Sequence, residues 1–168
     1  LTEGSETRAQ CTLDQRVTVR DRPRTFEAPD PPSPQTARFG DSIRMLGYEI
    51  ARDRRAQTVD LTLWWQARID PQRDYKRFIH IYAPGTDEIV AQDDAMPRQW
   101  QYPTSWWAAG EVVSETLTLD LSDAPPGTYR AAVGWYDPET MDRLAARDAS
   151  GERQPADRII LDTEIEPQ

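Results

Sequence analysis

The chain has 168 residues, 38% of them hydrophobic and six of them Trp, and 29 acids against 20 Lys and Arg give a net charge of −9. That is enough apolar side chain for one core and one domain, while a surface this acidic repels phosphate backbones and anionic lipid, which disfavours nucleic-acid and membrane-surface roles. No run of about 18 apolar residues occurs and Leu1-Thr-Glu-Gly-Ser-Glu6 lacks the parts of a signal peptide, so the expectation is a soluble chain without direct membrane insertion, a pattern shared by a piece cut from an anchored protein.

The charge is uneven. Residues 1–38 carry six acids and six bases, leaving 23 acids and 14 bases on residues 39–168. Cys11 is the only cysteine, so no intrachain disulfide can form, and Arg8-Ala-Gln10 before it is no lipidation signal. Residues 1–38 show little periodicity and close on Ala28-Pro-Asp-Pro-Pro-Ser-Pro-Gln-Thr36, where proline removes backbone donors. This predicts a flexible Pro-rich linker over 1–38 and a folded domain over 39–168. Val17-Thr-Val19 fits at most a short edge strand.

From Phe39 onward the pattern is that of strands. Residues 42–50 make the first, and 58–67 make the central one, with Val59, Leu61, Leu63, Trp65 and Ala67 alternating against Thr58, Asp60, Thr62, Trp64 and Gln66. In 75–83, Ile79 and Ile81 share a face with Arg77, and Phe78, His80 and Tyr82 take the other. Pro84-Gly-Thr-Asp87 is a turn, and 89–93 returns as a hairpin partner. Residues 94–110 have no strand pattern, yet hold Trp100, Tyr102, Trp106 and Trp107. Residues 111–121 alternate, with Val113, Leu117, Leu119 and Leu121 inward; 128–136 follow with Tyr129, Ala131, Val133 and Trp135 inward. A hairpin loop at 137–142, a short run at 143–147 and a last strand at 158–165 close the domain. The sum is an all-β fold of about eight strands: a two-sheet antiparallel β-sandwich, immunoglobulin-like or jelly-roll, behind an extended N-terminal linker.

The usual catalytic arrangements are missing. One histidine, no second cysteine and no Gly-rich phosphate loop leave no nucleophile, metal or nucleotide signature, so no cofactor and no metal are expected. Asp93-Asp94 and the Asp137, Glu139, Asp142 hairpin are acidic pairs of the kind that hydrolyse glycosides or hold Ca²⁺, but they sit in turns, where Asp bonds its own backbone. His80 alone makes no metal site and reads as a half-buried, hydrogen-bonded residue. The aromatics remain. Trp64, Phe78, His80 and Tyr82 are expected on one sheet face, beneath a loop carrying Tyr102, Trp106 and Trp107. That placement predicts a shallow glycan groove lined by Trp64, His80, Tyr102, Trp106 and Trp107, with Asp94, Gln99 and Gln101 taking hydroxyls. The alternative is a loop that buries its own tryptophans as a second small core.

Phe39-Gly-Asp-Ser-Ile-Arg-Met-Leu-Gly-Tyr48, Leu63-Trp-Trp-Gln66, Asp74-Tyr-Lys-Arg-Phe-Ile-His-Ile81, Tyr102-Pro-Thr-Ser-Trp106, Gly110-Glu-Val-Val113, Pro126-Gly-Thr-Tyr129 and Val133-Gly-Trp-Tyr-Asp-Pro138 together resemble one family pattern. It is that of the soluble C-terminal β-sandwich of bacterial multi-pass membrane glycosyltransferases of the dolichyl-phosphate-mannose mannosyltransferase type, over residues 39–165. The resemblance implies an extracytoplasmic location at the bacterial membrane, a partner in the membrane-embedded glycosyltransferase portion of the same parent chain, and no catalytic residue in this segment. The expected function is therefore a non-catalytic accessory domain, not an enzyme, that binds glycan weakly through an aromatic groove. The alternative is a structural or protein-interaction module without a ligand of its own.

Overall fold

The computed structural model describes residues 23–86 and 88–166, so Cys11 and the stretch 17–19 lie outside the described residues. Among the described residues, nine strands form two antiparallel sheets: β1 (Ser33–Phe39), β2 (Ile43–Asp53), β3 (Thr58–Ala67), β4 (Lys76–Ala83), β5 (Glu88–Ala95), β6 (Val112–Asp120), β7 (Tyr129–Tyr136), β8 (Ala146–Arg147) and β9 (Ile159–Ile165). The five-stranded sheet runs β6-β3-β2-β1-β8 and the four-stranded sheet β5-β4-β7-β9. The chain builds β1 to β3 as a meander, crosses to the β4–β5 hairpin, and then alternates between sheets to its end. The expected all-β sandwich is what the chain forms.

Period-2 alternation fixes the core. Val59, Leu61, Leu63, Trp65 and Ala67 of β3 face Ile79 and Ile81 of β4 and Ala131, Val133 and Trp135 of β7, all nearly solvent-free. The rings of Phe39, Trp65, Trp135 and Trp107 follow one another edge to face, with centroids 5.9, 5.1 and 5.9 Å apart.

Two charged residues share this interior. Arg77 of β4 is in phase with Ile79 and Ile81, Glu115 of β6 is in phase with Val113 and Leu117, and both are buried. Arg77 Nε donates to Glu115 Oε1 at 3.0 Å, and its Nη1 is ion-paired to Asp93 of β5. Glu115 also accepts from Trp65 Nε1 (3.0 Å) and from the amide of Arg98 (3.0 Å), while Arg98 Nε donates to the Ser114 carbonyl (3.2 Å). These bonds join β4 and β5 to β6 across one open side of the sandwich. On the other side, Gln35 donates to the Ile160 carbonyl (2.9 Å), the Thr163 amide donates to the Tyr48 hydroxyl (3.0 Å), and Arg52 donates to the Glu164 carbonyl (2.6 Å).

The predicted boundary at residue 38 is corrected. Residues 33–38 belong to β1, and Pro34 is tolerated because β8 pairs with β1 only at Arg38 and Phe39, so proline's missing donor faces no ladder there. The register to β2 slips between Pro34 and Ala37 to accommodate it. The segment before β1 is also docked. The Thr25 carbonyl accepts the Val112 amide at 2.7 Å, Arg24 pairs with Glu111 at 3.0 Å, and Pro31 lies on the outer side of Gly47, where a Cβ would come within 2.5 Å of Pro31 Cγ. Residues 24–31 therefore form a strap from β6 to β2 across the outer face of the five-stranded sheet.

Candidate functional site

The loop between β5 and β6 is held from within. Thr104, wholly buried, donates to the Arg73 carbonyl (2.7 Å) and accepts the Tyr75 amide (2.9 Å), tying the short helical turn Thr104–Trp106 to the β3–β4 connection. Glu111, also buried, accepts the Tyr102 hydroxyl (2.6 Å) on one oxygen and Arg24 (3.0 Å) and the Ala108 amide (2.9 Å) on the other. Burial first, and then the Glu111 carboxylate, push the Tyr102 phenol above its ordinary range, so it stays a donor. Arg98, Gln99 and Trp100 are three successive left-handed residues, φ 51°, 52° and 69°, a costly conformation for side chains with a Cβ. The bonds from Arg98 to Glu115 and Ser114 hold it in place.

This frame separates the eight predicted site residues. Tyr102 and Trp107 are buried: Trp107 Nε1 donates to the Tyr102 carbonyl (3.2 Å), and its ring meets Trp135 in the core. They are struts rather than platforms, which is what the loop-burial alternative expected of them. Trp64 lies on the outer face of the five-stranded sheet, opposite Gly47 and Ser114, whereas His80 and Asp94 lie on the outer face of the four-stranded sheet. The two faces point away from each other, so a single groove joining Trp64 to His80 does not exist. Gln99 donates to Asp93 (3.3 Å), and Gln101 is exposed. Of the eight, Trp106 and the buried Trp107 reach one large concavity, and Trp106 is the one exposed there, with 51% of its surface open and an edge contact to Tyr102.

That concavity, about 490 Å³, is an open groove lined by Arg24, Asp70, Pro71, Gln72, Ser105, Trp106, Trp107 and Ala108. Asp70 is oriented by the Ala109 amide on Oδ1 (2.6 Å), Gln72 by donating to the Asp70 carbonyl (2.9 Å), and Ser105 by the bond of its amide to Asp74 (3.0 Å). Among the described residues, Asp70 Oδ2, Gln72 Oε1 and the Ser105 hydroxyl have no bonded partner. Asp70 and Gln72 lie between two strand patterns, where alternation gives them no face. The signal that could have found them is the turn they make beside Tyr102-Pro-Thr-Ser-Trp106.

A second cleft, about 240 Å³, gathers Phe78, His80, Asp94, Tyr136, Met141 and Arg143. Its floor is the Phe78 ring lying over Gly134, where a Cβ would come within 2.2 Å of that ring, and Arg143 stacks above the ring at 4.4 Å. Burial pushes the His80 imidazole below its ordinary value of 6.5; Asp94 opposes the shift, and Arg143 and Arg158 add to it. Because the folded state binds this proton less readily than the unfolded chain, His80 removes stability as pH falls from 6.5 through its folded value. An NMR titration of the imidazole is expected to give a midpoint below 6.5, lowered further in Asp94→Asn. A midpoint at or above 6.5 in the parent would contradict this.

One carboxylate of each acidic cluster is taken up by the structure. Asp93 is bound to Arg77, and Asp137 accepts from Arg73 (2.8 Å) and the Glu139 amide (2.9 Å), which hold its carboxyl below the usual range, the amide most strongly. Among the described residues no three His, Cys, Asp or Glu side chains converge as a metal cage, and no helix is long and apolar enough to cross a membrane.

No family model matches the chain. No curated protein is significantly similar to it. Among solved structures, a crystal structure of a Bordetella pertussis protein described as ApaA is similar to it at 14% identity, covering 79% of this chain and 93% of that one, with a TM-score of 0.31. A likeness at that level carries no argument about function.

Proposed function

We propose that this is a non-catalytic binding module that holds a glycan in the Trp106 groove, as an accessory domain of a membrane glycosyltransferase on the extracytoplasmic face. The observation that carries the binding reading is the half-exposed Trp106 indole at the groove, with the unbonded Asp70, Gln72 and Ser105 acceptors and Arg24 around it. A pyranose lays its C–H face on a flat aromatic ring while its hydroxyls exchange water for side-chain oxygens, and this groove offers both surfaces together. The groove is open and solvated, so the net gain is small and a Kd of about 1 mM is expected. Attachment to the membrane enzyme is supported by the sequence resemblance over residues 39–165.

A second reading has its own observation. Phe26 and Ile69, close in sequence to the groove residues Arg24 and Asp70, are also about half exposed, and such apolar groups suit a protein partner such as the membrane-embedded portion. Titrating manno- and gluco-oligosaccharides while following Trp fluorescence or amide shifts separates the two. Saturable change is expected in the parent and in Trp64→Ala, and at least a tenfold weaker response in folded Trp106→Ala and Gln72→Ala. A flat response across a broad glycan panel would overturn glycan binding and leave the protein-interaction reading.

A further inference from the structure

We infer that the outer face of the five-stranded sheet carries a binding site for a small phosphate-type oxyanion, built on Arg38, Arg44 and Arg68. In an otherwise acidic domain, the sheet register places Arg147 of β8, Arg38 of β1 and Arg44 of β2 directly opposite one another in one row, followed by Gln66 of β3. All alternate with core residues, Ala146, Phe39 and Ile43, so their side chains share the outward face. Directly opposed residues in a sheet have Cβ atoms about 4.5–5.5 Å apart, and like charges there repel. Arg38 is flanked by like charge on both sides and is only partly exposed.

No described residue relieves the repulsion. Among the described residues, the Arg38 and Arg44 guanidinium groups have no hydrogen bond or ion pair. Arg68 uses one nitrogen on the Asp41 carbonyl (3.2 Å) and Arg147 uses one on the Gly151 carbonyl (3.0 Å), backbone bonds that orient the side chains without cancelling their charge. The one carboxylate in the wall, Asp148, is engaged by Ser150 and Glu152 on Oδ1 and Gln154 on Oδ2, so it is turned to its own loop. Between these groups lies a pocket of about 300 Å³ lined by Thr36, Arg38, Arg44, Arg68, Asp148 and Ala149.

Guanidinium forks match a tetrahedral oxyanion, two parallel N–H bonds to two oxygens, and a phosphate seated between Arg38 and Arg44 would relieve the row and take the Thr36 hydroxyl as a further donor. The net charge of −9 disfavours extended polyanions, so the ligand class is a small phosphate or phosphomonoester rather than a nucleic acid or an anionic bilayer.

The test is thermal unfolding of the parent in inorganic phosphate or glycerol phosphate, against NaCl at matched ionic strength. A rise in midpoint of about 2–4 °C above the chloride control is expected at saturating ligand. Arg44→Gln and Arg38→Gln should lose at least three quarters of that rise, and without ligand Arg44→Gln should melt no lower than the parent, because a repelling charge has gone. A phosphate response equal to that of chloride, or undiminished in both variants, would overturn the site. Sedimentation with phosphatidylcholine vesicles containing phosphatidic acid should show no binding; Arg38-dependent retention would overturn the small ligand in favour of a lipid headgroup.

Discussion

The Trp135→Ala variant is expected to lose about 3–5 kcal/mol of folding stability, read as a lowered midpoint in urea. Trp135 has no solvent exposure and meets both Trp65 and Trp107 edge to face, so alanine leaves a cavity bounded by rings from the five-stranded sheet and from the site loop. Its Nε1 is a buried donor without a partner among the described residues, so Trp135→Phe removes area but no hydrogen bond and should cost clearly less. Trp65→Phe differs, because Trp65 Nε1 donates to Glu115. An unchanged midpoint for Trp135→Ala would sink this account of the core. The same variant is also expected to weaken any response at Trp106, since Trp107 and Tyr102 carry the ring contacts from Trp135 to that groove.

The second large effect belongs to Glu115. Removing one partner of a buried ion pair strands the other, at a cost of about 3–5 kcal/mol, whereas replacing both with apolar groups is often near neutral. Glu115→Ala strips Arg77 of one of its two carboxylates, Trp65 of its acceptor and the Arg98 amide of its anchor, so the left-handed turn at 98–100 loosens as well. The Arg77→Met/Glu115→Leu double variant should recover the part of the loss that comes from the stranded Arg77. A double-mutant cycle in urea measures this, and a double variant no more stable than Glu115→Ala would show that Arg77 is not the group left stranded.

Alternation made the core legible: Trp65 and Trp135 are in phase with aliphatic neighbours and sit where that phase puts them. It also held the clue to the ion pair, since Arg77 and Glu115 are each in phase with an apolar face, but pairing them requires knowing that β4 and β6 belong to different sheets. The same gap misplaced Trp64. Alternation assigns a residue to a face of its own strand and says nothing of which sheet the next strand joins, and the 68–75 connection crosses between sheets instead of turning back. β1 was hidden by Pro34 and the prolines before it, and the missing donor of Pro34 matters only where a second strand pairs. Of the predicted groove, Trp106 reaches a large concavity, because four aromatics in one loop compete for burial and Tyr102 and Trp107 win it through Glu111 and the core.

The bonds that bridge the two open sides of the sandwich have a further consequence for self-association. A bare edge strand is a template on which a second molecule can add a strand of its own. On β6 the Val112 amide is taken by Thr25 and the Ser114 carbonyl by Arg98; on β9 the Ile160 and Glu164 carbonyls are taken by Gln35 and Arg52 and the Thr163 amide by Tyr48. An incoming strand would have to break these bonds before it could form its own ladder, and it would meet a charged Arg98 or Arg52 while doing so. At the β6 and β9 edges, the contacts that brace the fold thus also hinder extension by a neighbouring molecule.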